Sequence, residues 1–290
     1  MKKLLAALFV GIFGLTLIGT IACAESNVKK KTELKKFSLE LRTEVLFERE
    51  MDYQGNSSHT RYVFSGGTYT SAINTVDTWT GSGTGVDFES NRALLDFTFS
   101  PVKSLSLIAT IGAAKMNVID SSIEGEVLEL EGDADLVWGL GFDIKMFEKN
   151  GWSIVTGVRY LASKTDSTFE VSGQDYAQMV DPGDSRIYES ELDAYEWNID
   201  LIAKKKIKIF TPYAGVSYSD SKVESRTTYN YYYNDGSLAK KGNINFDYEQ
   251  KDNFGVLAGI NAEITKNLSM DIGCKLISET NLFGKLSYRF

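Results

Sequence analysis

The last ten residues constrain the fold more than any other feature. Leu282, Gly284, Leu286, Tyr288 and Phe290 share one face of an extended strand, while Phe283, Lys285, Ser287 and Arg289 share the other. The same period of two recurs over residues 37–47, 92–99, 105–114, 135–146, 152–160, 195–201, 210–218, 253–263 and 268–275, which makes ten such segments. The clearest sets Leu136, Trp138, Leu140, Phe142, Ile144 and Met146 against Asp135, Val137, Gly139, Gly141, Asp143 and Lys145. The segments run to roughly the 9–11 residues that a tilted strand needs to cross a bilayer. Beyond the N-terminal leader no stretch is apolar enough for a membrane helix, so a chain that spans a membrane this way must close its sheet.

The connections point the same way. Those near residues 100–103, 148–151, 204–206 and 265–267 are short, whereas 49–91, 117–132, 163–192 and 219–252 are long. Short turns on one rim and long loops on the other suit a transmembrane barrel with its short turns in the periplasm. Sixteen Phe and fifteen Tyr beside three Pro also suit strands, because Pro cannot donate to a ladder. The formal charge of −8, from 39 acidic against 31 basic residues, argues against nucleic acid as a partner.

Alternation alone does not say which face is outside, and a soluble barrel or sandwich shares it. Ten strands with about five apolar residues each would overfill a ten-stranded interior, since side chains already fill a barrel of about eight. Aromatic residues gather at the segment ends: Phe99, Phe147, Trp152, Phe210, Tyr288 and Phe290 at one rim, Phe47, Tyr160, Tyr195, Tyr218 and Phe254 at the other. Such belts mark the two bilayer interfaces. The expected fold is therefore all-β, a closed antiparallel up-and-down transmembrane β-barrel of about ten strands over residues 37–290.

Alternate apolar residues closing on an aromatic, here Leu286, Tyr288 and Phe290, resemble the C-terminal assembly signal of bacterial outer-membrane barrels. The chain looks like a small member of that broad group, which includes the transmembrane domain of outer-membrane protein A and its relatives. The resemblance spans residues 37–290. It implies a place in the cell outer membrane, partners in outer-membrane lipid, lipopolysaccharide and the barrel-assembly machinery, and a monomer. It implies no cofactor and names no activity.

Residues 1–24 read as a signal peptide. Lys2 and Lys3 precede an apolar run, and Ala22 and Ala24 flank Cys23 as a small-x-small cleavage site. A retained anchor and a lipidated Cys23 are the alternatives, although Thr20 suits a lipoprotein box poorly. Residues 25–36 then form a basic periplasmic tail with Lys29, Lys30, Lys31, Lys35 and Lys36. Once the leader is removed Cys274 is the one remaining cysteine, which leaves neither an internal disulfide nor a two-cysteine metal site.

The face turned inward carries the acids Glu40, Glu44, Asp96, Asp135, Asp143, Glu196, Asp200, Glu263 and Asp271, and the bases Arg42, Arg92, Lys145, Arg159, Lys275, Lys285 and Arg289. Their near balance points to ion pairs that fill a narrow lumen, because an isolated buried ion is costly. Inward glycines, among them Gly139, Gly141 and Gly259, leave room for these long side chains. The functional expectation is a structural or surface-interaction barrel with long extracellular loops. The alternative is a narrow porin-like channel for ions or small solutes, since facing salt bridges can exchange partners.

Catalysis finds little support. Ten-stranded outer-membrane proteases pair acidic residues with a histidine at the outer rim, whereas the single histidine here, His59, falls in the first long loop with no nearby acid. No spacing of ligands suggests a metal. Among loop residues, Trp79, Tyr229, Tyr231, Tyr232 and Tyr233 could contact an extracellular ligand of unknown identity, or pack across a hairpin.

Overall fold

The computed structural model describes residues 37–65, 68–81, 86–120, 126–173, 185–232, 238–277 and 279–290. The leader and tail, with Ala22 and Ala24, lie outside them, as does Tyr233. The described strands are β1 (Phe37–Glu48), β2 (Met51–Ser65), β3 (Thr68–Gly81), β4 (Val86–Val102) and β5 (Leu105–Asp120). They continue as β6 (Glu126–Gly132), β7 (Asp135–Lys149), β8 (Trp152–Gly173), β9 (Ser185–Lys205) and β10 (Phe210–Tyr232). The chain ends with β11 (Leu238–Gln250), β12 (Phe254–Glu263), β13 (Leu268–Leu276) and β14 (Thr280–Arg289).

Ten of these form a closed antiparallel ring: β1, β4, β5, β7, β8, β9, β10, β12, β13 and β14. The seam joins β14 back to β1, with Leu41 opposite Leu286 and Thr43 opposite Gly284. Closure removes every edge within the ring, which is what a sheet needs where no water can satisfy its backbone.

Period-two alternation positions the apolar set outside. Leu140 is 60 % exposed, and Trp138, Ile199, Val216 and Ile272 are also exposed around the same band. An apolar surface this continuous is the lipid face of a transmembrane barrel. Cross-strand aromatic pairs bound it on both sides. Phe37 stacks on Phe99 at 5.0 Å at the short-turn rim, while Tyr160 meets Trp197 at 4.7 Å and Tyr218 meets Phe254 at 5.2 Å at the other.

Most of the stretches expected to be long loops are strand instead. His59, expected in a loop, lies on β2 with its backbone opposite Gly242 and Thr75. Trp79 lies on β3 opposite Gly55. Beyond the lipid band, β6 continues the line of β7, β11 that of β12, and β2 that of β1, while β4, β5, β8, β9 and β10 run straight through. Among the described strands only the β13–β14 hairpin stops at the band. With its two strands gone, β11 pairs directly with β2, Gln250 opposite Met51, and the ring narrows from ten strands to eight. The link from β2 to β4 is the Glu50–Asp87 bridge with the Phe88 N–H donating to the Arg49 carbonyl at 2.9 Å. β3 folds back on β2 and is the last strand in the order.

Residue polarity inverts where the strands leave the lipid. On β4, Leu95 and Phe97 face out and Asp96 faces in; higher on the same strand, Asp87 and Glu89 face out while Val86 and Phe88 are buried. The strand keeps its pleat, and the solvent around it changes from acyl chains to water. An eight-stranded ring is just wide enough for side chains to fill. Here Met51, Tyr53, Phe88, Leu94, Met116, Leu130, Leu192, Val223, Phe246 and Tyr248 fill it as one dry cluster.

Candidate functional site: the lumen

Directly beneath that cluster the lumen becomes ionic. Arg42 on β1 meets Glu44 at 2.7 Å and Asp96 of β4 at 3.0 Å. Glu44 lies 3.6 Å from Arg92, which reaches Glu196 of β9 at 2.8 Å. Arg49, in the link between β1 and β2, takes Glu196 at 3.0 Å, donates Nε–H to Glu279 at 2.8 Å and donates to Ser221 at 2.8 Å. Lys275 of β13 closes the chain on Glu279 at 3.1 Å and donates to Asn198 at 2.8 Å. The result is one line of alternating charge across the barrel, which satisfies ions that no single pair could support in a dry setting.

Arg49 and Glu279 are the residues that alternation missed. Both lie at chain bends outside the alternating segments, yet their side chains are only 1 % and 2 % exposed. The signal available was chemical rather than periodic: a lone acid in the one brief outer turn and a lone base where the first segment ends. The Arg49 guanidinium also lies 5.7 Å from the Phe88 ring centre, so it forms the boundary between ionic lumen and apolar stopper.

A second set of expected residues lies nearer the short turns. Arg159 meets Asp143 at 2.9 Å, and Lys285 lies 3.6 Å from Glu40, which accepts from Ser287 at 2.7 Å. The Tyr213 hydroxyl donates to Asp271 at 2.6 Å. Glycines make this crowding feasible at particular points. A Cβ at Gly141 would meet Arg159 Cδ at 2.5 Å, and one at Gly157 would meet Asp143 Oδ1 at 2.6 Å. Asp200 faces the same space without a side-chain hydrogen bond or ion pair among the described residues.

Four expected lumen charges stand apart from these sets. Asp135 is exposed at the top of β7, and Arg289 is exposed at the end of β14. Lys145 pairs with Glu148 at 3.0 Å and Glu263 with Lys206 at 2.8 Å, both at short turns. Their alternation phase is that of the lumen, but they sit where strands end and water reaches them. Among the tyrosines expected at an outer tip, Tyr229 is only 5 % exposed and turns inward toward Gly242, whose missing side chain leaves it space. Tyr231 pairs through its backbone with Lys240, and Tyr232 with Leu238.

The lumen is closed at one end and open at the other. A cavity of about 140 Å³ lies below the Arg49 clasp, bordered by Asp200, Lys204, Tyr213, Asp271 and Lys285. Side-chain exposure rises from the clasp to 24 % at Glu40, 29 % at Lys285 and 35 % at Asp143, so the opening is at the short-turn rim.

No protein-family model and no curated protein matches the sequence. Solved structures do resemble it at low identity. The outer membrane protease OmpT from Escherichia coli is 11 % identical with a TM-score of 0.43, over 91 % of this chain and 100 % of that one. The translocator domain of the autotransporter NalP from Neisseria meningitidis is 10 % identical with a TM-score of 0.39, over 98 % and 97 %. The outer membrane protein OprG from Pseudomonas aeruginosa is 11 % identical with a TM-score of 0.34, over 88 % and 96 %. The closed ring of strands itself defines the fold.

Proposed function

We propose that this chain is an integral outer-membrane barrel, exported by its leader and closed to diffusion, that carries an eight-stranded extension above the lipid as a surface for interaction. One observation carries the reading: the dry cluster around Phe88, Leu94 and Tyr248 fills the narrowed ring directly above the buried Arg49. Ions crossing such a core would shed most of their hydration against its apolar side chains, with only scattered buried hydroxyls such as those of Ser219, Ser225 and Thr227 to replace it. The lipid band and the asymmetry of turns support the outer-membrane setting. Purified protein in planar bilayers is expected to give no steady conductance. A reproducible open level in the absence of denaturant overturns the reading.

The narrow-channel alternative draws on the polar lower lumen. Under it, neutralising Arg42 or Arg159 shifts ion selectivity, whereas the closed reading leaves no current to shift.

A further inference from the structure

We infer that the lipid face carries a seat for one anionic phospholipid at the short-turn end of the seam, where β14, β1, β4, β5 and β7 lie side by side. Such a seat rests on the integral-barrel reading and not on whether the lumen is closed, so lipid retention and conductance fail separately. One small residue makes the room. Phe97 of β4, Ala109 of β5 and Leu140 of β7 are direct neighbours across the ladder, all on the outward face. Phe97 and Leu140 are 50 % and 60 % exposed. Ala109 stops at Cβ, and a trough opens between them. Toward the rim it is bounded by Phe37, stacked on Phe99 at 5.0 Å, and by Phe290, whose N–H donates to the Phe37 carbonyl at 3.1 Å. The groove holds about 560 Å³, and no charged residue lines it.

Its surroundings decide the occupant. An acyl chain gains little from apolarity alone, because lipid tails are as apolar as the face they cover. Fixed rings beside a gap add dispersion contacts, and selection among lipids falls to the headgroup. The mouth of the groove is positive. Lys103 lies in the turn between β4 and β5, the strands that supply Phe97 and Ala109, and Arg289 immediately precedes Phe290. Neither has a carboxylate partner among the described residues, and nor has Lys149 in the next turn. The acids at this part of the rim do not cancel them: Glu148 is taken by Lys145 at 3.0 Å, and the Phe290 α-carboxylate offsets one charge of the three. The sequence supplies two further bases, Lys35 and Lys36, directly before Phe37. A trough for an acyl chain that ends among surplus cations fits a lipid with a negatively charged phosphate headgroup.

The test is native mass spectrometry of the full chain, released from detergent micelles after incubation with equal amounts of dioleoyl phosphatidylglycerol and dioleoyl phosphatidylcholine. One phosphatidylglycerol per barrel should stay bound in preference to phosphatidylcholine. Ala109→Leu fills the trough while keeping the face apolar, and should weaken that retention about tenfold, the worth of roughly ten lost carbon contacts. Lys103→Gln should weaken it about fivefold and leave phosphatidylcholine unchanged. Lys208→Gln, across the barrel in the β9–β10 turn, should change it less than twofold. Gel mobility of unheated samples checks that each variant folds as the parent does. Equal retention of the two lipids overturns the inference, as does a phosphatidylglycerol load that Ala109→Leu leaves unchanged. A dimer mass that Ala109→Leu abolishes overturns it too, since the occupant is then a second copy of the chain. Steady conductance would instead overturn the closed-barrel reading and leave this result standing.

Discussion

Arg49 is the residue on which the two halves of the barrel depend. Removing its charge would strand Glu196 and Glu279 in a dry environment, because their other cationic partners, Arg92 and Lys275, are shared with further groups. Arg49→Gln is therefore expected to destabilise the folded barrel by about 3–5 kcal/mol, the cost of breaking a buried pair from one side. Urea unfolding in detergent, followed by gel mobility of unheated samples, measures it; the double variant Arg49→Gln/Glu279→Gln should regain much of the loss. Asp87, above the lipid, offers a second test. Partial burial, then repulsion from Glu48, Glu50 and Glu89, raises its carboxyl above the usual value of 3.8. A raised carboxyl favours folding only while protonated, so its contribution is present at low pH and lost as pH rises through the folded value. Asp87→Asn should be more stable than the parent at pH 8, and the difference should vanish below pH 3.8.

At the level of strands, the lipid face and the stopper obey opposite rules along one element. Leu140→Arg, on the lipid face of β7, should cost about 2–4 kcal/mol in folding titrations with vesicles, the penalty for a charge near the bilayer midplane. The same substitution at an outward position above the band, such as Glu89, should cost far less. This inversion also explains what the sequence revealed and what it concealed. The lower parts of β4, β5, β9 and β10 were legible because apolar residues alternate there against charge. Their upper parts read as loops because the apolar residues change sides: Val86 and Phe88 on β4, Met116 and Val118 on β5, Leu192 and Ala194 on β9, Val223 on β10. A search for period two that lets the apolar phase flip at a charged or small residue, such as Ser90 or Asn91, would have extended each strand. The ion pairs of Arg42, Glu44, Arg92, Asp96 and Glu196 involve residues that alternation had already placed on the inward face. The Arg49–Glu279 clasp was concealed because both residues lie at bends, where periodicity carries no information.

For the whole molecule, the barrel is a socket with one opening. Against a Cys274→Ser parent, Ser38→Cys should react readily with a bulky charged maleimide, since Ser38 lies near the open rim. Ser225→Cys, replacing a side chain that is 1 % exposed inside the narrowed ring, should stay protected in the folded state. Equal rates at the two positions would mean that the upper ring admits solvent.

The clasp has a consequence for how the seam is chosen. Arg49 follows the first strand and Glu279 precedes the last, and those two strands are the pair that must meet to finish the cylinder. A mismatch of two residues there would keep every greasy side chain toward the bilayer, so lipid could not tell the faulty alignment from the true one. It would also carry Glu279 about 7 Å along the strand axis, out of reach of its guanidinium. A costly pair of interior ions thus makes the wrong closure expensive where the surrounding membrane is indifferent.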